Sequence, residues 1–142
     1  MSNLLRDRQR YYSDMVRNAH KQAARRERDN IKAKRYEDEG LVTLEELKED
    51  GMLCSVTGGY LCYGRENDSQ TAPMVASCDK IDPKRGYCPG NVQLVANWYN
   101  KAKSDWGAEE TKQRIIEAAI NILSNNEEYR DLYMADLLEL CE

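Results

Sequence analysis

Most of the side chains in this sequence that could do chemistry fall between residues 78 and 105, which read CDKIDPKRGYCPGNVQLVANWYNKAKSD. Asp79 and Asp82 are neighbouring carboxylates ahead of Pro83, Asn91 follows Pro89 and Gly90, and Asn100 leads into Lys101 and Lys103. Each has an ordinary structural use. Aspartates beside a proline-containing turn cap backbone N–H groups, and an asparagine after Pro-Gly does the same. Lys101 and Lys103 are solvated lysines unless DNA is the partner, when they become phosphate contacts. Lys80 is harder to place, because an ammonium with an ordinary pKa near 10.4 stays charged and cannot take a proton from water. The only histidine is His20, far upstream. It is either a base delivered from elsewhere or an exposed helix residue, and the second reading is the simpler.

The cysteines, at 54, 62, 78, 88 and 141, form no CxxC pair. That argues against both a paired zinc knuckle and a secreted disulfide framework. A four-cysteine zinc site from Cys54, Cys62, Cys78 and Cys88 is one reading; buried, reduced thiols are the plainer one.

The chain of 142 residues has the length of one domain with an appendage. No apolar run is long enough to cross a bilayer, and MSNLLRDRQR lacks the apolar segment of a secretory signal. A cytoplasmic protein without a membrane partner is therefore expected. The formal charge of −4 hides an asymmetry: residues 1–36 carry eleven Lys/Arg against four Asp/Glu, leaving ten against twenty-one in 37–142. Polyanion binding is thus expected of the N-terminal segment rather than of the whole surface.

The elements that would position these groups follow from periodicity. Residues 3–36 read as one basic helix, with Leu4, Leu5, Tyr11, Tyr12, Met15, Val16, Ala19 and Ala23 at helical spacing. Arg6, Arg10, Arg17, Lys21, Arg25, Arg28, Lys32 and Arg35 populate the rest of its surface as candidate DNA contacts. Thr43 with Glu46 forms a capping box for a short helix ending at Gly51. LCSVTGGYL, from Leu53, carries a β-hairpin signal. Residues 79–90 read as a loop or open hairpin, and 91–104 resume a helix-compatible pattern. Ser104 or Asp105 caps a helix over roughly 107–124. A last helix carries Tyr129, Leu132, Tyr133, Leu137, Leu138 and Leu140, a stripe that serves as core or as the seam of a homodimer. The expected fold is α+β and mostly helical with a small β-hairpin, divided into a basic helical arm (1–40), a central unit (41–106) and a C-terminal helical segment (107–142).

The runs TLEELKEDGMLCSVTGGYL and SCDKIDPKRGYCPGNVQLVANWYNKAKSDWGAEE resemble the HNH, or His-Me finger, endonuclease superfamily, and its small phage-type branch most closely. The resemblance covers about residues 41–110. It implies a ββα unit around one divalent ion, flanked by the basic helix and the C-terminal helices. In that scheme Asp79 and Asn100 are metal ligands, Lys80 stands in the general-base position, and Asn91 ties the loop. Mg²⁺ or Mn²⁺ is the implied ion, since one carboxylate and one amide suit a hard cation that keeps its waters. Asp82 is a candidate proton acceptor in place of the missing histidine. Where relatives carry paired zinc-binding cysteines, this sequence has Cys54 with Thr57 and Ala96 with Tyr99, so no structural zinc is expected.

The resemblance implies a metal-dependent endonuclease acting on double-stranded DNA, encoded by a phage or mobile element and working in the bacterial host cytoplasm. Two alternatives stand beside it. One is a catalytically inactive DNA-binding or regulatory protein on the same scaffold, and the other is a module that binds a host protein through its acidic body.

Overall fold

The computed structural model describes residues 3–49, 51–62 and 73–139, with the side chains of 3–11, 135 and 137–139 outside that description. It is a mixed α+β chain: α1 (Asn3–Lys32), α2 (Leu44–Glu49), β1 (Ala76–Lys80), β2 (Val92–Ala96), α3 (Asn97–Lys103), α4 (Ala108–Asn125) and α5 (Glu127–Glu139). These fall into two compact units, residues 1–107 and residues 108–142.

In the first unit, α1 buries Met15, Val16, Ala19, Ala23 and Glu27, a stripe repeating every four residues. It packs on β1 and α2. The boundary expected at residue 40 is therefore no division between units, because α1 supplies part of their common core. The helix stops at Lys32, short of the expected 36, and no glycine stops it. Lys34 takes the left-handed conformation (φ 51°), Arg35 N–H donates to Asn30 O at 3.1 Å, and Lys34 N–H donates to Ile31 O at 2.9 Å. This is a Schellman ending built on lysine.

The Thr43 capping box forms as the sequence predicts. Glu46 N–H donates to Thr43 Oγ1 at 3.2 Å, and Thr43 N–H donates to Glu46 Oε2 at 2.7 Å. Leu47 then anchors α2 in the core.

The sheet departs from expectation. The segment from Leu53 yields only an isolated antiparallel bridge, Leu53 to Tyr60, around a turn. The two-stranded antiparallel sheet is β1 with β2, in register from Ala76 opposite Ala96 to Lys80 opposite Val92. Residues 92–96, which suit a helix by periodicity, are a strand in which Leu94, Val95 and Ala96 are fully buried. A short apolar run cannot distinguish the two, and here strand pairing decided it. α3 follows directly, its Asn97 N–H donating to Val75 O at 2.8 Å. Ser104 ends α3 at φ 49° rather than capping α4.

In the second unit α4 packs on α5. The stripe read as core is largely open there: Tyr129, Leu132 and Tyr133 are about half exposed or more. Leu137 and Leu138 side chains, and Leu140, lie outside the described residues. No helix among the described residues is long and apolar enough to cross a membrane.

Candidate functional site

The order strand, loop, strand, helix brings the sequence's candidate residues to one cavity of about 940 Å³ in the first unit. β1 ends on Asp79 and Lys80, and α3 presents Asn100 and Lys103, one turn apart, toward that strand. All four side chains line the cavity.

The loop between the strands is held by one side chain. Asn91, almost fully buried, accepts Asp82 N–H on Oδ1 at 2.9 Å and donates to Gly86 O at 2.8 Å and Asp82 O at 3.1 Å. These three bonds tie the two ends of the loop together. Asp82 itself accepts Lys84 N–H at 2.9 Å, the turn-capping use, and does not line the cavity. The structure therefore does not bring it among the candidate reacting groups.

Asp79 is buried and fully engaged. Lys103 Nζ lies 3.0 Å from Oδ1, each side chain only 1% exposed, and Gln93 Nε2, directly across the sheet, donates to Oδ2 at 2.9 Å. Lys103 also donates to the Lys80 carbonyl at 2.6 Å. It is thus a buried structural cation, where an exposed DNA contact was expected. The Asn100 amide donates to Ser77 Oγ at 2.7 Å and to Cys78 O at 3.0 Å.

Lys80 is half-buried. Its Nζ lies 4.8 Å from the Tyr36 ring centroid and 5.5 Å from that of Tyr87, and it donates to Pro83 O at 3.1 Å. Burial lowers its pKa, against the opposing charges of Asp105 and Glu27. The flanking tyrosines are organised from α1. Glu27 Oε2 accepts both the Tyr36 hydroxyl and the Tyr87 N–H at 2.7 Å. Burial pushes the Tyr36 hydroxyl well above the ordinary tyrosine range, and the Glu27 carboxylate adds to this. Burial also raises the Tyr87 pKa, with an Arg26 hydrogen bond opposing it.

The cavity is lined by six cations, Arg26, Arg35, Lys80, Lys84, Lys101 and Lys103, against three anions, Asp29, Asp79 and Asp105. Of the expected DNA contacts, Arg35 and Lys101 are exposed at this cavity. Arg17, Lys21, Arg25, Arg28 and Lys32 are exposed on α1 away from its lining, Arg17 paired with Asp14 at 3.0 Å. The side chains of Arg6 and Arg10 lie outside the described residues. Sequence reasoning passed over Arg26, Lys84, Gln93, Tyr36, Tyr87 and Glu27. Only Glu27 left a signal, as the sole glutamate in a basic segment of 36 residues.

His20 is not at the cavity: its Nε2 donates to Val42 O at 2.8 Å, joining α1 to the chain ahead of α2. Nor is it the exposed helix residue expected; it is partly buried. Cys54, Cys78 and Cys88 are buried and Cys62 partly so, and none of the four is in a disulfide. Burial raises the Cys54 pKa, but hydrogen bonds from Thr57, Ala96 and Val56 outweigh it and leave the thiol below its usual value. Among the described residues no group of three or more His, Cys, Asp or Glu side chains could hold a metal ion.

Asp79 and Asn100 do share the cavity, as a divalent-ion site requires. Both Asp79 oxygens already have partners, however, and the one facing α3 holds an ammonium. The ion implied by the resemblance does not fit on Asp79 while Lys103 stays in place. No protein-family model, curated protein or solved structure matches this chain.

Proposed function

We propose that this chain is a DNA-binding protein built on an HNH-type scaffold, seating the phosphate backbone of duplex DNA at the mouth of the Asp79–Lys103 cavity. The observation that carries the reading is the charge of that cavity, six cations to three anions in a chain whose formal charge is −4. Phosphate binding needs such local concentration of positive charge, and overall charge does not prevent it. Amide side chains of Asn30 and Asn97 line the same cavity and add neutral donors suited to phosphate and sugar oxygens. The test is duplex binding across a salt series: Arg26→Ala and Lys101→Ala each weaken binding and flatten the dependence of log K on log salt. Binding unchanged in both variants would sink the proposal.

A second reading, phosphodiester hydrolysis with Mg²⁺ or Mn²⁺, is favoured by one observation. Asp79, Lys80 and Asn100 converge on a single cavity in the order that the resemblance implies. Plasmid nicking by the wild type with either ion, abolished by Asp79→Ala, would establish it. Intact DNA binding without nicking would leave the first reading alone.

A further inference from the structure

A buried carboxylate requires a countercharge, and removing that charge is strongly destabilising. In a divalent-ion site the ion supplies it. Here Lys103 supplies it, from a position as buried as that of Asp79 itself, 3.0 Å from Oδ1. Gln93 takes the other oxygen at 2.9 Å. An ammonium has three N–H groups. Asp79 uses one of those of Lys103, and the Lys80 carbonyl uses another at 2.6 Å, at the wall of the cavity that Lys103 lines.

We propose that Lys103 is the resident cation of this site, held by Asp79 in the place a divalent ion would need, so that the cavity engages phosphate without a metal. Asp79 is then a positioning residue for Lys103. A divalent ion on Oδ1 would lie a few ångströms from an ammonium whose other partner is a neutral carbonyl, and like charges at that range repel strongly in a partly dry site. To admit the ion, Lys103 would have to withdraw from almost complete burial and give up both bonds. The side chain cannot simply rotate away while the Lys80 carbonyl, fixed in β1 opposite Val92, still holds it.

This deepens the DNA-binding reading and rests on it only for the nature of the anion. The test is a titration of the full chain with Mn²⁺, followed by calorimetry and by the paramagnetic resonance signal of free Mn²⁺. The wild type takes up no ion below millimolar concentrations. Lys103→Met frees Asp79 and gains at least tenfold in Mn²⁺ affinity, and the gain disappears in Asp79→Asn/Lys103→Met, whose neutral pair also guards against a variant that fails to fold. DNA affinity of the wild type is the same in EDTA as in Mn²⁺. One Mn²⁺ bound per wild-type chain at micromolar concentration, and lost in Asp79→Asn, overturns the proposal whatever the variants do. A wild type that bound no DNA would instead end the functional reading, and the titration would still decide the metal.

Discussion

Gly86 faces the Glu27 carboxylate so closely that a Cβ at that position would lie 2.7 Å from Oε1 and 2.8 Å from the Tyr36 ring. Neither neighbour is free to yield. Glu27 is buried and bound through Oε2 to Tyr36 and to Tyr87 N–H, so it fastens α1 to the loop between the strands. The glycine of the Lys-Arg-Gly-Tyr run is thus set by space for a carboxylate 59 residues earlier in the chain. Gly86→Ala is expected to destabilise the first unit by about 1–3 kcal/mol, as overpacking of a tight site does. Denaturant unfolding measures it, and a midpoint unchanged from the wild type would refute the close approach.

The same cluster makes stability fall in alkali. Tyr36 and Tyr87 hold their protons more tightly when folded, whereas tyrosine in an unfolded chain titrates near 10. Their contribution is intact below about pH 10; above it the folded state binds more protons than the unfolded, so stability falls as pH rises. Lys80 acts with the opposite sign, its lowered pKa giving a gain as pH climbs toward the model-compound value of 10.5. The tyrosine effect is therefore read above that point. Tyr36→Phe keeps the ring over Lys80 and removes the ionising hydroxyl, so its melting temperature drops less steeply than that of the wild type between about pH 10.5 and 11.5. Parallel curves would show that Tyr36 carries none of the effect.

Asn91 makes three side-chain hydrogen bonds across the loop while almost fully buried. Asn91→Ala removes them all and leaves Asp82 N–H and two carbonyls without that partner. At about 1 kcal/mol for each bond, the loss is roughly 2–3 kcal/mol. Asn91→Asp keeps the acceptor but turns a buried carboxylate oxygen on two carbonyls with no countercharge, so it is at least as destabilised as the alanine variant in thermal or urea unfolding. An alanine variant as stable as the wild type would mean that the loop is held by its backbone bonds alone.

What could be read from the sequence, and what could not, divides along physical lines. The Thr43–Glu46 box and the Asn91 tie are local, their partners at most nine positions apart, and local geometry follows from residue type. β2 was misread because Val92, Leu94 and Val95 satisfy a helical period as well as a strand. Only its pairing with β1 settles the matter. Lys103 was read as an exposed phosphate contact because nothing near it in sequence says that it is buried. Its partner Asp79 lies on another element, and the pair exists only once α3 packs on β1. The end of α1 escaped notice because a lysine holds the conformation for which glycine is the usual signal.

Those contacts change what removing the basic segment would report. By composition, residues 1–36 look like an arm whose deletion should weaken DNA binding and lower its salt dependence. In the fold, Met15, Val16, Ala19 and Ala23 are core, and Glu27 holds the loop that carries Tyr87. Deleting 1–36 is therefore expected to abolish cooperative unfolding of the first unit, seen as a lost thermal transition by circular dichroism, and any loss of binding would follow from that. Point substitutions separate charge from core. Arg26→Gln, at the cavity, is expected to lower the salt slope by about one, as one lost phosphate contact does. Lys112→Gln, exposed on α4, leaves the slope unchanged, and both variants keep the wild-type melting temperature. A truncated chain that still melted cooperatively would return residues 1–36 to the status of a separable arm. Equal slopes for Arg26→Gln and the wild type would remove the cavity from the DNA interface.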